Sequence, residues 1–125
     1  MILDTNALSA WLDGDPDIRA PLESATRIAL SPIVLGEYRY GVLHSRQRLR
    51  YEEQLRLVET EFPPLPIGPV TARLYAEMRA ELRRAGRPIP WHDTWIAAQA
   101  REHQMPVLSR DRHFDALSDL ARISW

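Results

Sequence analysis

The sequence predicts an α/β fold, a three-layer α/β/α sandwich with a central parallel sheet of about five strands. Short apolar segments alternate along the chain with longer stretches whose apolar residues recur at helical spacing. The clearest of the short segments, residues 1–3, is wholly apolar, which is typical of a parallel strand buried on both faces. Helices that connect parallel strands cover both faces of the sheet, and this gives the three layers.

Strands are predicted where a short apolar run meets a polar or turn residue. Residues 1–3 form such a run, and Asp4 ends it. In chain order, the predicted strands cover residues 1–3, 27–30, 65–67, 106–109 and 122–125.

Helices are predicted from start and stop signals and from apolar spacing. Ser31 and Pro32 supply an N-cap and a proline at the first helical position. The clearest helix has apolar residues at every fourth position from Val70 to Leu82, and Gly86 ends it. In chain order, the predicted helices cover residues 6–12, 17–24, 33–44, 46–61, 69–85 and 90–103, and a short helical turn lies within 111–120.

The composition limits the class of protein. The 125 residues contain no repeat and no linker long enough to separate two domains, so a single domain over residues 1–125 is expected. The absence of cysteine excludes disulfide scaffolds and thiolate metal sites. All 16 basic residues are arginines, which excludes Schiff-base enzymes and lysine-containing phosphate loops. No signal region and no apolar run of about 18 residues is present, so we expect a soluble cytoplasmic protein that does not contact membranes.

Four acidic residues are predicted to meet at one edge of the sheet. Asp4 ends the first strand and Asp111 follows the fourth, which places both at the edge where parallel sheets bind ligands. Glu37 lies on an apolar helix face, and Asp93 lies in the first turn of its helix. Taken singly, Asp4 could cap a helix, Asp93 could complement a helix dipole and Asp111 could be a turn residue. An unpaired glutamate on a buried face is harder to explain structurally.

Together the four carboxylates predict a metal site. Several carboxylates cannot stay ionised in one pocket without a cation. Oxygen ligands favour Mg²⁺, with Mn²⁺ as the alternative, over zinc. Such an ion activates water and neutralises a departing oxygen, which is the chemistry of phosphodiester hydrolysis. The net charge of −1 does not exclude a nucleic-acid substrate, because setting these four acids aside leaves +3 on the rest of the chain.

Four segments of the chain resemble the four motifs of PIN-domain ribonucleases. The first contains the Asp-Thr-Asn sequence that follows the first strand, and the others surround the remaining three acids. The order and spacing are most similar to those of the VapC toxins of bacterial toxin–antitoxin pairs, and the resemblance runs from Met1 to Trp125. The four segments are residues 1–6, 35–41, 93–98 and 108–114.

The resemblance implies a Mg²⁺-dependent endoribonuclease that acts as a toxin, forms a homodimer and is inhibited by a small cognate antitoxin whose tail occupies the acidic groove. It implies that Thr5 or Asn6 bonds to the acids or their waters, and Ser109 stands where the family has threonine or serine. Asp115 is a candidate for a further acid, although a solvated helix residue explains it better. The implied catalytic acids are Asp4, Glu37, Asp93 and Asp111, and the implied metal ligands are Asp4, Asp93 and Asp111, with Asp111 binding directly or through water.

Other polar residues near the predicted site have weaker signals. Arg110 and Arg112 flank Asp111 and are candidates for contact with RNA phosphates. His92 adjoins Asp93, but neighbouring helix residues point apart, so we expect it to face solvent. His113 shows no metal-ligand spacing with the other histidines.

Two alternative functions share the same motifs. A PIN-family nuclease of RNA maturation would have the same acids, although the minimal length argues against it. A non-catalytic module that binds RNA or protein would be expected to have lost acids, and all four are retained. The sequence does not distinguish transfer, ribosomal and messenger RNA as targets, because structured RNA is recognised largely through shape and exposed loops.

Overall fold

The computed structural model describes residues 1–125 and consists of six helices around a small parallel sheet. The helices are α1 (Thr5–Asp13), α2 (Arg19–Glu23), α3 (Pro32–Val42), α4 (Arg48–Glu61), α5 (Pro69–Arg84) and α6 (Trp91–Glu102). The strands are β1 (Ile2–Leu3), β2 (Val107–Leu108) and β3 (Arg122–Ile123), and 3₁₀ turns cover Pro16–Ile18 and Arg112–Ala116. None of the six helices has both the length and the apolar character needed to cross a membrane.

β1 lies at the centre of five aligned segments, of which β1, β2 and β3 form the regular ladder. β1 pairs with β2, and β2 pairs with β3, all in parallel. On the other side of β1, Ala29 forms an isolated parallel bridge with Ile2, and beyond it the Leu65 N–H donates to the Leu30 carbonyl at 2.9 Å. Five segments therefore lie side by side in the chain order third, second, first, fourth and fifth. The order reverses between β1 and β2, and this switch point is where open parallel sheets bind ligands.

The α/β class and the parallel sheet are confirmed, but the regular ladder has three strands, where the sequence predicts about five. Residues 65–67 form no strand, because Pro64 and Pro66 lack the N–H groups that a ladder requires. Within residues 27–30 only Ala29 makes a strand pairing, since α3 begins soon after it. The segment around Ala29 is thus joined to β1 by two backbone hydrogen bonds, and Leu65 is joined to Leu30 by one.

The core forms because the sheet is apolar on both faces and the helices are amphipathic. Ile2, Leu3, Val107 and Leu108 are completely buried, as expected for a sheet covered on both sides. The alanine-rich face of α6 is buried as well, and α6 packs closely on α5, where Trp95 stacks on Tyr75 with ring centroids 4.1 Å apart. The sheet is therefore covered by helices, and α6 packs directly against β2.

Capping side chains fix where the helices begin at the carboxyl edge of the sheet. The Asp4 carboxylate caps α1 by accepting from the Thr5 N–H. The buried Ser31 hydroxyl caps α3 by accepting from the Ile33 N–H at 3.1 Å. Asp111 caps the second 3₁₀ turn in the same way. The ends of β1 and β2 and the segment after Ala29 thus pass into helical segments within a few residues, and polar side chains collect there.

Candidate active site

A polar cleft of about 450 Å³ lies at the carboxyl edge of the sheet, at the switch point between β1 and β2. All four acids that the sequence singles out line this cleft, and Pro90 is the one residue of the lining with a purely apolar side chain. The residues come from the ends of β1 and β2, from α1 and α3, and from the start of α6. The lining consists of Asp4, Thr5, Asn6, Ser9, Glu37, Pro90, His92, Asp93, Asp111 and His113.

Asp4 is held by three donors. Its Oδ1 accepts from the Thr5 N–H at 2.7 Å, and its Oδ2 accepts from Asn6 Nδ2 at 2.6 Å and from the Ser109 hydroxyl at 2.7 Å. The carboxylate is only 5% exposed, and this burial raises its pKa, while the bonds from Ser109 and Thr5 lower the pKa and the charges of Asp93 and Glu37 raise it. Asp4 therefore caps a helix and also belongs to the acidic cleft.

Ser109 and Asn6 join the two strand ends. The completely buried Ser109 hydroxyl donates to Asp4 and accepts from the Asp111 N–H at 2.9 Å. The Asn6 side chain donates to Asp4 and accepts from the Arg110 N–H at 3.1 Å. These bonds fix the loop after β2 against the loop after β1, so Asp4 and Asp111 are kept on the same side of the cleft.

Glu37 reaches the cleft from α3. Its Oε2 accepts from the Thr5 hydroxyl at 2.6 Å, and its Oε1 lies 3.5 Å from His92 Nε2. The side chain is one-third exposed, so the carboxylate is partly hydrated, which reduces the energetic penalty of placing it on this face.

Asp93 and Asp111 share a contact with His113. His113 Nδ1 lies 3.1 Å from Asp93 Oδ2 and 3.1 Å from Asp111 Oδ2. Burial raises the pKa of Asp93, the charge of Asp111 raises it further, and the bond from His113 and the charge of His92 lower it. Carboxylate and imidazole atoms of these three residues lie within 4.8 Å of one another, and such donors suit a divalent ion. The donor set therefore fits a metal site.

The sequence interpretation missed both histidines of the cleft. The sequence signal that could have indicated His113 is its position two residues after Asp111. An aspartate that caps a turn accepts from the N–H two positions later, and the His113 N–H indeed donates to Asp111 Oδ1 at 2.8 Å. His92 does not simply face solvent, because its Nε2 lies 3.5 Å from Glu37 Oε1 and 3.5 Å from Asp93 Oδ1. Adjacent helix positions diverge at Cβ, but the long imidazole side chain reaches back to both acids.

The arginines beside the cleft differ in their contacts. The Arg110 guanidinium pairs with Asp15 at 3.0 Å and lies 4.5 Å from the Trp125 ring centroid. Arg112 is exposed and makes no side-chain hydrogen bond or ion pair. Asp115 pairs with Arg122 at 2.7 Å and is not part of the cleft lining. Of these charged groups, Arg112 is the one left available to a ligand.

The chain is similar to known proteins over nearly its whole length. The family model of the PIN domain matches residues 1–120. Ribonuclease VapC5 of Mycobacterium tuberculosis is 33% identical over 128 residues, which cover 98% of this chain and 90% of that protein. The solved structure of VapBC2 from Rickettsia felis bound to a DNA fragment from their promoter is similar with a TM-score of 0.87 and 26% identity, covering 99% of this chain and 97% of that one. A second similar structure is that of VapBC-5 from Mycobacterium tuberculosis, a member of the VapBC family of toxin–antitoxin systems. It has a TM-score of 0.79 and 29% identity, covering 99% of this chain and 97% of that one.

Proposed function

Because the chain belongs to the PIN-domain family, we propose that it is a metal-dependent endoribonuclease that acts as the toxin of a toxin–antitoxin pair. The name of the relative in Mycobacterium tuberculosis, a VapC ribonuclease, supports the activity. The toxin–antitoxin system to which one similar structure belongs supports the biological role. The single observation that carries the proposal is the convergence of Asp4, Glu37, Asp93 and Asp111 in one cleft with a mostly polar lining.

The ion would be Mg²⁺ or Mn²⁺, and Asp93 and Asp111 would hold it through their Oδ2 atoms. When bound, such an ion activates water and neutralises charge on the departing oxygen. Asp4 would be the third carboxylate ligand, because its Oδ1 accepts only from the Thr5 N–H and so retains a lone pair. Glu37 Oε1, which Thr5 does not engage, would accept the proton that the attacking water loses.

Thr5, Asn6 and Ser109 position the acids. Thr5 holds Glu37 through its hydroxyl and Asp4 through its N–H. Asn6 and Ser109 donate to Asp4, and their bonds leave the carboxylate one orientation. Fixed ligands bind an ion more tightly, because less side-chain freedom is lost on binding.

RNA would approach along the exposed side of the cleft. Arg112 lies next to Asp111 with an unengaged guanidinium, and it is the arginine that we propose binds a phosphate. Arg110 would not contact a phosphate, because Asp15 and Trp125 already engage it.

The proposed partners are a second copy of the chain and a small antitoxin whose tail occupies the acidic cleft. The toxin–antitoxin system to which one similar structure belongs supports a protein partner, and exposed large apolar side chains are available to contact one. Tyr40 is 78% exposed, Leu49 is 87% exposed and Trp91 is 59% exposed.

Cleavage assays with and without a chelator test this function. Protein purified free of any partner should cleave RNA in Mg²⁺ or Mn²⁺, and EDTA should abolish the cleavage. Asp93→Asn should remove the activity, whereas Asp17→Asn, which alters an exposed acid outside the cleft, should not. Undiminished cleavage in EDTA would contradict the metal mechanism. Binding of RNA without cleavage under any metal condition would favour a non-catalytic module instead.

A further inference from the structure

We propose that His113 is a direct ligand of the divalent ion through Nδ1, together with Asp93 and Asp111. This inference rests on the proposed function, because it defines the donor set of the same site. The acids that the family motifs supply are all oxygen ligands, whereas this chain brings a ring nitrogen between two of them.

The distances are those of neighbouring ligands on one ion. His113 Nδ1 lies 3.1 Å from Asp93 Oδ2 and 3.1 Å from Asp111 Oδ2. Two ligands at adjacent positions of an octahedral ion lie about 3 Å apart, because each bond is about 2.1 Å long and the angle is about 90°. An ion can therefore bind all three atoms with little rearrangement of the side chains.

Apart from their contacts with one another, the three atoms have no hydrogen-bond partner in the protein. Asp111 Oδ1 accepts from the His113 N–H, which leaves Asp111 Oδ2 without a backbone donor. Asp93 Oδ2 has His113 as its only hydrogen-bond partner. By contrast, Asp4 Oδ2 already accepts two bonds, which occupy both of its lone pairs.

The 3₁₀ turn fixes the backbone at His113. Phe114, the next residue, is completely buried in the core, and Asp111 caps the turn through the His113 N–H. The histidine is therefore anchored on both sides, and its ring faces the cleft while its side chain stays about half exposed. A group fixed in this way is organised for binding before the ion arrives.

A nitrogen ligand alters which ion the site prefers. Carboxylate oxygens suit Mg²⁺, whereas imidazole suits transition ions. We therefore expect the cleft to bind Mn²⁺ more tightly than Mg²⁺, and the difference should depend on His113.

Calorimetric titration of Mn²⁺ and Mg²⁺ into the wild type and His113→Ala tests the inference. The Kd for Mn²⁺ should rise at least about tenfold in the variant, the lower end of the loss seen when even an outer partner of a metal ligand is removed. The Kd for Mg²⁺ should rise less. His44→Ala is the matched control, because His44 is exposed and lies outside the cleft, and both of its Kd values should equal those of the wild type.

Pulsed electron paramagnetic resonance of Mn²⁺ on the wild type gives a test that needs no variant to fold. Coupling of the bound Mn²⁺ to a histidine nitrogen is the expected result, and its absence, with unchanged Kd values in His113→Ala, would overturn the assignment of His113 while leaving the nuclease proposal intact. If the wild type bound neither Mn²⁺ nor Mg²⁺, both proposals would fail.

Discussion

Replacing Ser109 with alanine removes the hydroxyl that joins the end of β1 to the end of β2. The side chain is completely buried, donates to the Asp4 carboxylate at 2.7 Å and accepts from the Asp111 N–H at 2.9 Å. A hydrogen bond to a charged group contributes about 2 kcal/mol and a neutral one about 1 kcal/mol. We therefore expect Ser109→Ala to lower the free energy of unfolding by about 3 kcal/mol, and the melting temperature by about 10 °C for a chain of this size.

The stability that Ser109→Ala loses relative to the wild type should increase as the pH rises. Burial raises the pKa of Asp4 above its ordinary value of 3.8, and the bond from Ser109 lowers that pKa, so the variant should have the higher folded-state pKa. A carboxyl whose pKa is raised by folding binds its proton more tightly in the folded state. Stability is then lost as the pH increases from the unfolded-state pKa through the folded-state pKa. The variant loses more stability over this interval, so the gap from the wild type widens.

Thermal and urea unfolding in EDTA, at about pH 4.5 and about pH 8, measure both effects. Ser118→Ala is the control, because Ser118 is exposed and its side chain makes no hydrogen bond. A loss in Ser109→Ala no larger than that of the control, or a gap that stays constant between the two pH values, would refute the assignment of this hydroxyl as the bond that stabilises ionised Asp4.

Two further predictions concern charges at the cleft. In EDTA at about pH 8, thermal melts should show Asp93→Asn to be more stable than the wild type. Burial raises the pKa of Asp93, so its ionised form destabilises the fold above the unfolded-state pKa. Added Mg²⁺ should stabilise the variant less than the wild type, and a lower melting point of the variant in EDTA would contradict the expected gain in stability. In salt titrations of RNA binding, the slope of log K against log salt concentration should be smaller in magnitude by about 0.7 in Arg112→Ala. Arg110→Ala should lower the melting temperature and leave that slope unchanged. Equal slopes in Arg112→Ala and the wild type would show that Arg112 does not contact RNA.

The positions of the acids could be predicted because strand ends are visible in a sequence. Asp4 ends an apolar run and Asp111 follows another, and parallel strands bring such residues to one edge. Glu37 and Asp93 follow from helical spacing, which shows the face on which each carboxylate lies.

The remaining features depend on contacts between distant residues, which periodicity does not show. Arg110 pairs with Asp15 and lies over Trp125, and neither partner is close to it along the chain. His113 meets Asp93 only because the start of α6 and the turn after β2 converge. The weak pairing of the third segment is also hidden from periodicity: Leu65 has the pattern of a strand residue, but the neighbouring prolines lack the N–H groups that a regular ladder requires.

The central place of β1 determines when the cleft can form during synthesis. β1 is the first strand to leave the ribosome, yet its partner β2 begins at Val107, and Asp111 follows later still. A nascent chain that ends within α6 contains Asp4 and Glu37 but lacks the strand that fixes the edge and the residues that complete the donor set. Closing so long a loop of chain is entropically unfavourable until the contacts that reward it exist. Translation therefore delays assembly of the cleft until residue 111 has emerged.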